Sequence, residues 1–142
     1  MTDVSTIGGS RSPANPTTYN PIAGGSFPIG TPVAQSLSDD GTVVAANSGS
    51  EDTTYVTGIA ASPGASGGRV LVQYGNVLEL TADQWDEITS GSGGLERESP
   101  YYLSDEDGKL TTTPPGSGFI VPVGVAVSAT ELLIRIGAAT PA

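Results

Sequence analysis

Ser99-Pro-Tyr-Tyr-Leu-Ser-Asp-Glu-Asp-Gly-Lys-Leu-Thr-Thr-Thr113 leads, after a Pro/Gly/Ser-rich gap, into Val123-Gly-Val-Ala-Val-Ser128 and then Glu131-Leu-Leu-Ile-Arg-Ile-Gly137. The same order is written once before, more loosely. Gly30-Thr-Pro-Val-Ala-Gln-Ser-Leu-Ser-Asp-Asp-Gly-Thr-Val-Val-Ala-Ala46 leads, past Asn47 to Asp52, into Thr57-Gly-Ile-Ala-Ala-Ser62 and Arg69-Val-Leu-Val-Gln-Tyr-Gly75. Gly41 aligns with Gly108, Gly58 with Gly124 and Gly75 with Gly137, at a period longer than that of solenoids or propeller blades. The pattern is that of a duplicated β-unit.

Each unit has the same physical logic. A short apolar strand runs into an acidic turn that ends in Gly, a residue free to take the positive φ of a tight hairpin, and a Thr- or Val-rich strand returns. A β-branched run broken by one Gly follows, the signature of a bulge or a tight bend against a neighbouring backbone. In the last strand of the second unit Leu132, Ile134 and Ile136 share one face, and Leu133 and Arg135 the other. The fold class read from this is mainly β: a small antiparallel barrel or sandwich built from two pseudo-repeats, residues 30–80 and 99–137.

Between the repeats lies one helix, residues 81–90. Thr81 caps it, Gln84 completes a capping box, and Leu80 with Trp85 has the spacing of a hydrophobic staple. Asp83, Asp86 and Glu87 occupy its first turns, where the helix dipole favours negative charge, and Gly91 to Gly94 are expected to end it. Trp85 reads as a lid over the open end of the sheet. The loop Pro63-Gly-Ala-Ser-Gly-Gly68 has no counterpart in the second repeat and reads as a flexible connection. It lacks the Lys and the helix start of a phosphate-binding loop.

Residues 1–28 are read as an extended arm, and residues 29–142 as the β-domain. The arm is punctuated by Gly8-Gly9, Pro13, Pro16, Pro21 and Gly24-Gly25 and has few large apolar groups, so alone it cannot offset its ordering entropy. Fully extended it reaches roughly 90 Å. Tyr19, Ile22 and Phe27 are its candidate anchors on a partner, and loss of residues 1–25 is expected to leave the domain folded.

Twenty Gly and eleven Pro in 142 residues favour turns over helices. Fifteen acidic residues stand against five basic ones (Arg11, Arg69, Arg97, Lys109, Arg135), a net charge of -10. With no basic stripe to displace counterions, nucleic acid is not an expected partner, and an anionic membrane would repel the chain. The acidity fits a well-solvated surface or a positively charged partner. No apolar run approaches the length of a membrane span, and Met1-Thr-Asp-Val-Ser has neither the basic start nor the apolar core of a signal peptide.

The sequence contains no His and no Cys, so a Ser-His-Asp triad, a Cys nucleophile and a His/Cys zinc site are all excluded. No catalytic residue, cofactor or metal ligand is assigned. The carboxylates of Asp39-Asp40 and Asp105-Glu106-Asp107 sit in hairpin turns, where Asp is favoured for its local backbone bonds, and their spacing is not that of a calcium-binding EF-hand loop. Tyr101 and Tyr102 are neighbours on a strand and should point to opposite faces.

The elements Gly30-Thr-Pro-Val, Asp40-Gly-Thr-Val, Thr57-Gly-Ile-Ala, Gly75-Asn-Val-Leu-Glu-Leu, Ser99-Pro-Tyr-Tyr-Leu, Asp107-Gly-Lys-Leu-Thr-Thr and Val123-Gly-Val-Ala together resemble the duplicated pattern of tailed-bacteriophage capsid decoration (cement) proteins. The resemblance covers residues 30–137. It implies a non-enzymatic viral structural protein, a β-barrel-like domain on the outer surface of the virion's capsid, commonly a homotrimer, that binds the major capsid protein and stabilises the head. Tyr-Tyr-Leu-Ser followed by Asp-Gly-Lys also resembles modules of phage fibres and baseplates. That resemblance implies a glycan-binding alternative, which requires an exposed aromatic cluster drawn from Tyr55, Tyr74, Trp85 and Tyr101 or Tyr102.

Overall fold

The computed structural model describes residues 17–142, and it is mainly β with one α-helix. The strands are β1 (Thr18–Tyr19), β2 (Ile22–Ala23), β3 (Pro32–Gln35), β4 (Thr42–Ala45), β5 (Val56–Ala60), β6 (Val72–Gln73), β7 (Val77–Glu79), β8 (Pro100–Leu103), β9 (Leu110–Thr111), β10 (Phe119–Ile120), β11 (Pro122–Ala126), β12 (Glu131–Ile134) and β13 (Thr140–Pro141). The helix α1 spans Ala82–Thr89. No helix among the described residues is long and apolar enough to cross a membrane.

The duplication is visible in the sheets. A six-stranded sheet has the order β1-β6-β5-β3-β4-β2, and a five-stranded one β7-β12-β11-β8-β9. The run β6-β5-β3-β4 therefore repeats as β12-β11-β8-β9. Register pairs the copies residue by residue: Val33 lies opposite Gly58 as Tyr101 lies opposite Gly124, and Ala60 opposite Val72 as Ala126 opposite Leu132. In both copies the pairing slips by one residue, so that Thr57 and Val123, each just before the Gly, are the bulged positions. A Cβ on Gly58 would drive into Val72 and the Gln73 carbonyl, and one on Gly124 into the Leu133 carbonyl. The hairpin glycines Gly41 and Gly108 have φ of 73° and 70°, as their turns require. The third expected match does not hold. Gln73 and Leu133 occupy equivalent places, so Gly75 corresponds to Arg135, two residues short of Gly137.

The cap of α1 is formed as the sequence implies. Gln84 N–H donates to Thr81 Oγ1 (3.1 Å), and Thr81 N–H donates to Gln84 Oε1 (2.9 Å). The helix ends one residue earlier than expected, because Ser90 takes the left-handed conformation (φ 58°) instead of a Gly. The glycines that follow are used differently: Gly93 and Gly94 N–H groups donate to the Asp86 carboxylate. Lys109 Nζ donates to the Glu87 carbonyl (2.6 Å), placing a cation at the negative end of the helix.

Two apolar clusters hold the fold. The larger lies between the sheets and α1 and includes Ile59, Leu78, Leu80, Trp85, Ile88, Tyr101, Leu103, Val123, Leu132 and Ile134. Trp85 is fully buried in it, with its Nε1–H donating to the Thr130 carbonyl (2.8 Å). The smaller cluster, Ala23, Phe27, Val33, Val43, Ala60, Val70 and Val72, fills the curl of the six-stranded sheet, with Tyr19 packed against it.

That smaller cluster changes the reading of the arm. Residues 17–28 are not a free extension but part of the sheet: β1 pairs with β6, and β2 pairs in parallel with β4. The physical reason is the Pro63–Gly68 loop, which is a clasp and not a flexible connection. Ala23 N–H donates to the Gly68 carbonyl (2.8 Å) and Gly67 N–H to the Ala23 carbonyl (2.8 Å), while Phe27 and Gly64 exchange both backbone bonds (3.1 and 2.9 Å). Residues 61–71 connect Ala60 to Val72, whereas only 127–131 connect their counterparts Ala126 and Leu132. The loop that is extra in the first copy is thus what captures the N-terminal segment. The first sixteen positions of the expected arm lie outside the described residues.

Candidate interaction surfaces

The three candidate anchors are engaged by this chain itself. Tyr19 is half-buried, its hydroxyl donates to Thr57 Oγ1 (2.8 Å), and its ring lies 6.1 Å from that of Tyr74. Ile22 N–H donates to the Gly41 carbonyl (2.9 Å), and Ile22 also bridges to Arg69. Phe27 is 8% exposed and packs against Gly64, where a Cβ would come within 2.5 Å of the ring. The structure therefore gives all three an intramolecular role, because each meets a strand or loop of the first repeat.

The acidic turns are local devices. In the first, Ser36 Oγ accepts from the N–H groups of Ser38 and Asp39 (both 3.3 Å). In the second, Ser104 Oγ accepts from Glu106 N–H (3.1 Å), and Asp107 Oδ1 accepts from Asn47 Nδ2 (2.7 Å), tying the second hairpin to the first repeat. Among the described residues no three His, Cys, Asp or Glu side chains gather as a metal site.

The aromatic residues are dispersed. Tyr101 points inward and Tyr102 outward, as strand neighbours must. Tyr101 accepts from Glu96 N–H at its hydroxyl (2.7 Å). Burial raises its pKa above the ordinary 10.0; the backbone bond from Glu96 opposes that shift, and the Glu96 carboxylate adds to it. Trp85 is sealed in the core, which removes it from any exposed cluster. Tyr55 is 76% exposed and borders a shallow apolar pocket of about 460 Å³ with Val56, Ile136, Gly137 and Ala139. Tyr74 sits elsewhere, beside Tyr19. A separate polar cleft of about 320 Å³ is lined by Thr89, Ser92, Glu96, Thr111 and Thr112.

The five-stranded sheet carries a row of apolar residues on the face away from the core. Alternation buries Leu78, Leu132 and Ile134 on its inner face. Register then lines up Val77, Leu133, Val125 and Pro100 across β7, β12, β11 and β8 on the outer face. Val77 is 43% exposed, Leu133 and Val125 are half-buried, and Pro100 is exposed. Beside this row, Glu79 on β7 lies directly opposite Glu131 on β12, and Val127, 41% exposed, donates its N–H to the Glu131 carbonyl (2.9 Å). The outward placement of Leu133 was legible from sequence alternation. The Glu79–Glu131 pairing was not, because it depends on the register of strands more than fifty residues apart.

No family model matches the chain, and no curated protein matches it. What it does must be argued from these surfaces and from the duplicated architecture.

Proposed function

We propose that this chain is a bacteriophage capsid decoration protein, a non-enzymatic cement that binds the major capsid protein on the outer surface of the assembled head and stabilises it, acting as a homo-oligomer such as a trimer. The observation that carries the reading is the repeated strand order, β6-β5-β3-β4 and β12-β11-β8-β9, with its bulge before Gly58 and Gly124 in both copies. It gives a physical body to the sequence pattern on which the family resemblance rests. The net charge of -10 supports a structural protein that stays soluble until it meets a complementary surface.

The mode of attachment in this proposal differs from an arm anchored by Tyr19, Ile22 and Phe27, since those residues are paired or packed within this chain: Tyr19 and Ile22 through strand pairing, and Phe27 in the smaller cluster. Attachment falls instead to the surface of the β-domain. The test is co-sedimentation of the purified chain with empty heads of the phage that encodes it. Saturable binding, with heads that resist heat better when coated, is the expected result. Absence of binding overturns the reading, and binding to host-surface glycans instead would favour the fibre or baseplate alternative.

A further inference from the structure

We infer that the outer face of the five-stranded sheet is the attachment face, and that it takes a protein surface presenting apolar side chains flanked by Lys or Arg. The inference rests on the decoration reading and adds the site and the chemistry of the partner.

The first observation is the apolar row. Val77, Leu133, Val125 and Pro100 are side by side through strand register, and Val127, exposed, follows directly on the end of β11. On a monomer with one free sheet face, alternation ordinarily puts polar groups on the solvent side. Here the middle two outward positions of the row are Leu and Val. Aligned apolar side chains on a solvent-facing sheet face, two of them half-buried and flanked by exposed ones, are the kind of feature that marks an interaction site.

The second observation is electrostatic. Ile134 N–H donates to the Asn76 carbonyl and Leu80 N–H to that of Thr130. These bonds fix Leu78–Leu132 as a hydrogen-bonded pair and Glu79–Glu131 as the alternate, non-hydrogen-bonded kind, in which facing side chains approach most closely. Like charges placed directly opposite each other destabilise a sheet. Neither carboxylate has an ion-pair partner among the described residues. Among the described residues the Glu131 carboxylate accepts only from Ser128 Oγ (2.9 Å), a neutral donor. Arg135, just past the end of β12, stands four residues from Glu131, roughly 13 Å away at strand rise, too far to neutralise the pair. Two carboxylates are therefore brought opposite each other at the border of the apolar row, a place that a cation supplied from outside would complement.

Those two features decide between occupants. A second copy docked face to face on this sheet would set the Glu79–Glu131 border against its own like-charged equivalent, which disfavours this face, though not others, as the contact within an oligomer. A shell surface with apolar groups and flanking Lys or Arg satisfies both the row and the pair.

The test uses the full chain and empty heads of its phage. Glu79→Lys with Glu131→Lys should weaken head binding at least tenfold, whereas Asp39→Lys with Asp40→Lys, the same charge change on an exposed hairpin turn, should leave it within a factor of two. Glu79→Gln supplies a readout that loss of folding cannot imitate. It should raise the melting temperature of the free chain by relieving the repulsion and at the same time lower head binding. If the wild-type chain does not bind heads, the function and the face fall together. If it binds and the Glu79/Glu131 variant binds equally well, the face alone is overturned. Loss of a self-associated state in that variant, seen by sedimentation velocity without loss of head binding, would assign the face to a second copy and overturn the proposed partner.

Discussion

The two repeats share strand order, bulge and hairpin chemistry, yet they bury their surfaces differently. In the first, both faces of the sheet are buried: one in the core shared with α1, the other in the smaller cluster, which Ala23 and Phe27 complete where the Pro63–Gly68 clasp holds them. In the second, no such clasp exists, and the outer face keeps Val77, Leu133, Val125 and Val127 toward solvent. The difference teaches that an insertion in one copy of a duplicated unit can convert a surface into a second core. The copy without the insertion is left with the surface available for binding.

The largest effect should come from removing what the clasp holds. A chain starting at residue 29 loses β1, β2 and the buried Ala23 and Phe27. Deleting a buried Phe side chain alone costs about 3–5 kcal/mol, so this truncation should lose more than about 5 kcal/mol, a large share of a small domain's stability. A chain starting at residue 17 keeps β1, β2 and their pairing with β6 and β4, and should unfold in urea within about 0.5 kcal/mol of the full protein. Equal midpoints for the two truncations would mean that the smaller cluster contributes nothing, and the contrast between the repeats would collapse.

Next come the bulge glycines, which should behave alike in both copies. Gly58→Ala and Gly124→Ala each force a Cβ into backbone of the adjacent strand, and each should cost about 2–4 kcal/mol by overpacking. Gly116→Ala, where nothing lies within 4 Å, is the control and should be neutral. Denaturant midpoints measure all three. A large loss at one bulge and none at the other would show that the copies have diverged in the packing of their central strands.

These glycines also show what could be read in advance. Gly58, Gly124, Gly41 and Gly108 were legible because turn and bulge chemistry is local, and so was the Thr81–Gln84 box. The alternation of Leu132 to Arg135 gave the inner and outer faces of β12 for the same reason. Residues 17–28 were misread because their strands are only two residues long and are separated by Pro21 and by Gly24 and Gly25, which local rules assign to loop. Their pairing partners lie in β4, β6 and the 63–68 loop, and no local pattern announces contacts at that distance in sequence. The outer face was half visible. Its apolar members follow from alternation, but their alignment with Glu79–Glu131 exists only once register is known.

A smaller effect distinguishes equivalent core positions. Val33 and Tyr101 lie at the same register position in the two copies, but Tyr101 carries a hydroxyl that accepts from Glu96 N–H. Tyr101→Phe should cost about 1 kcal/mol at neutral pH through that lost bond. The pH dependence follows from the raised pKa. The native state holds the phenolic proton more tightly than the unfolded chain does, so the stabilisation is complete below the ordinary value of 10.0 and is lost as pH rises through the native pKa. Denaturant midpoints taken from pH 9 upward should fall for the wild type and fall less for Tyr101→Phe. Parallel curves would mean that Tyr101 does not titrate in this range differently from the unfolded chain.

The smallest effect concerns the seam where the copies meet. Ser48 N–H donates to the Ser104 carbonyl (2.9 Å), the Ser48 carbonyl accepts from Phe119 N–H (3.0 Å), and Gly108 N–H donates to the Ala46 carbonyl (2.8 Å). These three bonds of the joint are all backbone, and the Ser48 hydroxyl, fully buried, has no hydrogen-bond partner among the described residues. A buried polar atom without a partner costs its desolvation and returns nothing, so Ser48→Ala should be neutral or stabilise the chain by up to about 1 kcal/mol. The side chain loses one oxygen and leaves the backbone bonds to Ser104 and Phe119 intact, which keeps the cavity term small. Urea titration of the two proteins side by side measures the difference. A loss of more than about 1 kcal/mol, the worth of an ordinary hydrogen bond, would show that the hydroxyl is bonded in solution and joins the Asn47–Asp107 bond in fastening the two repeats together.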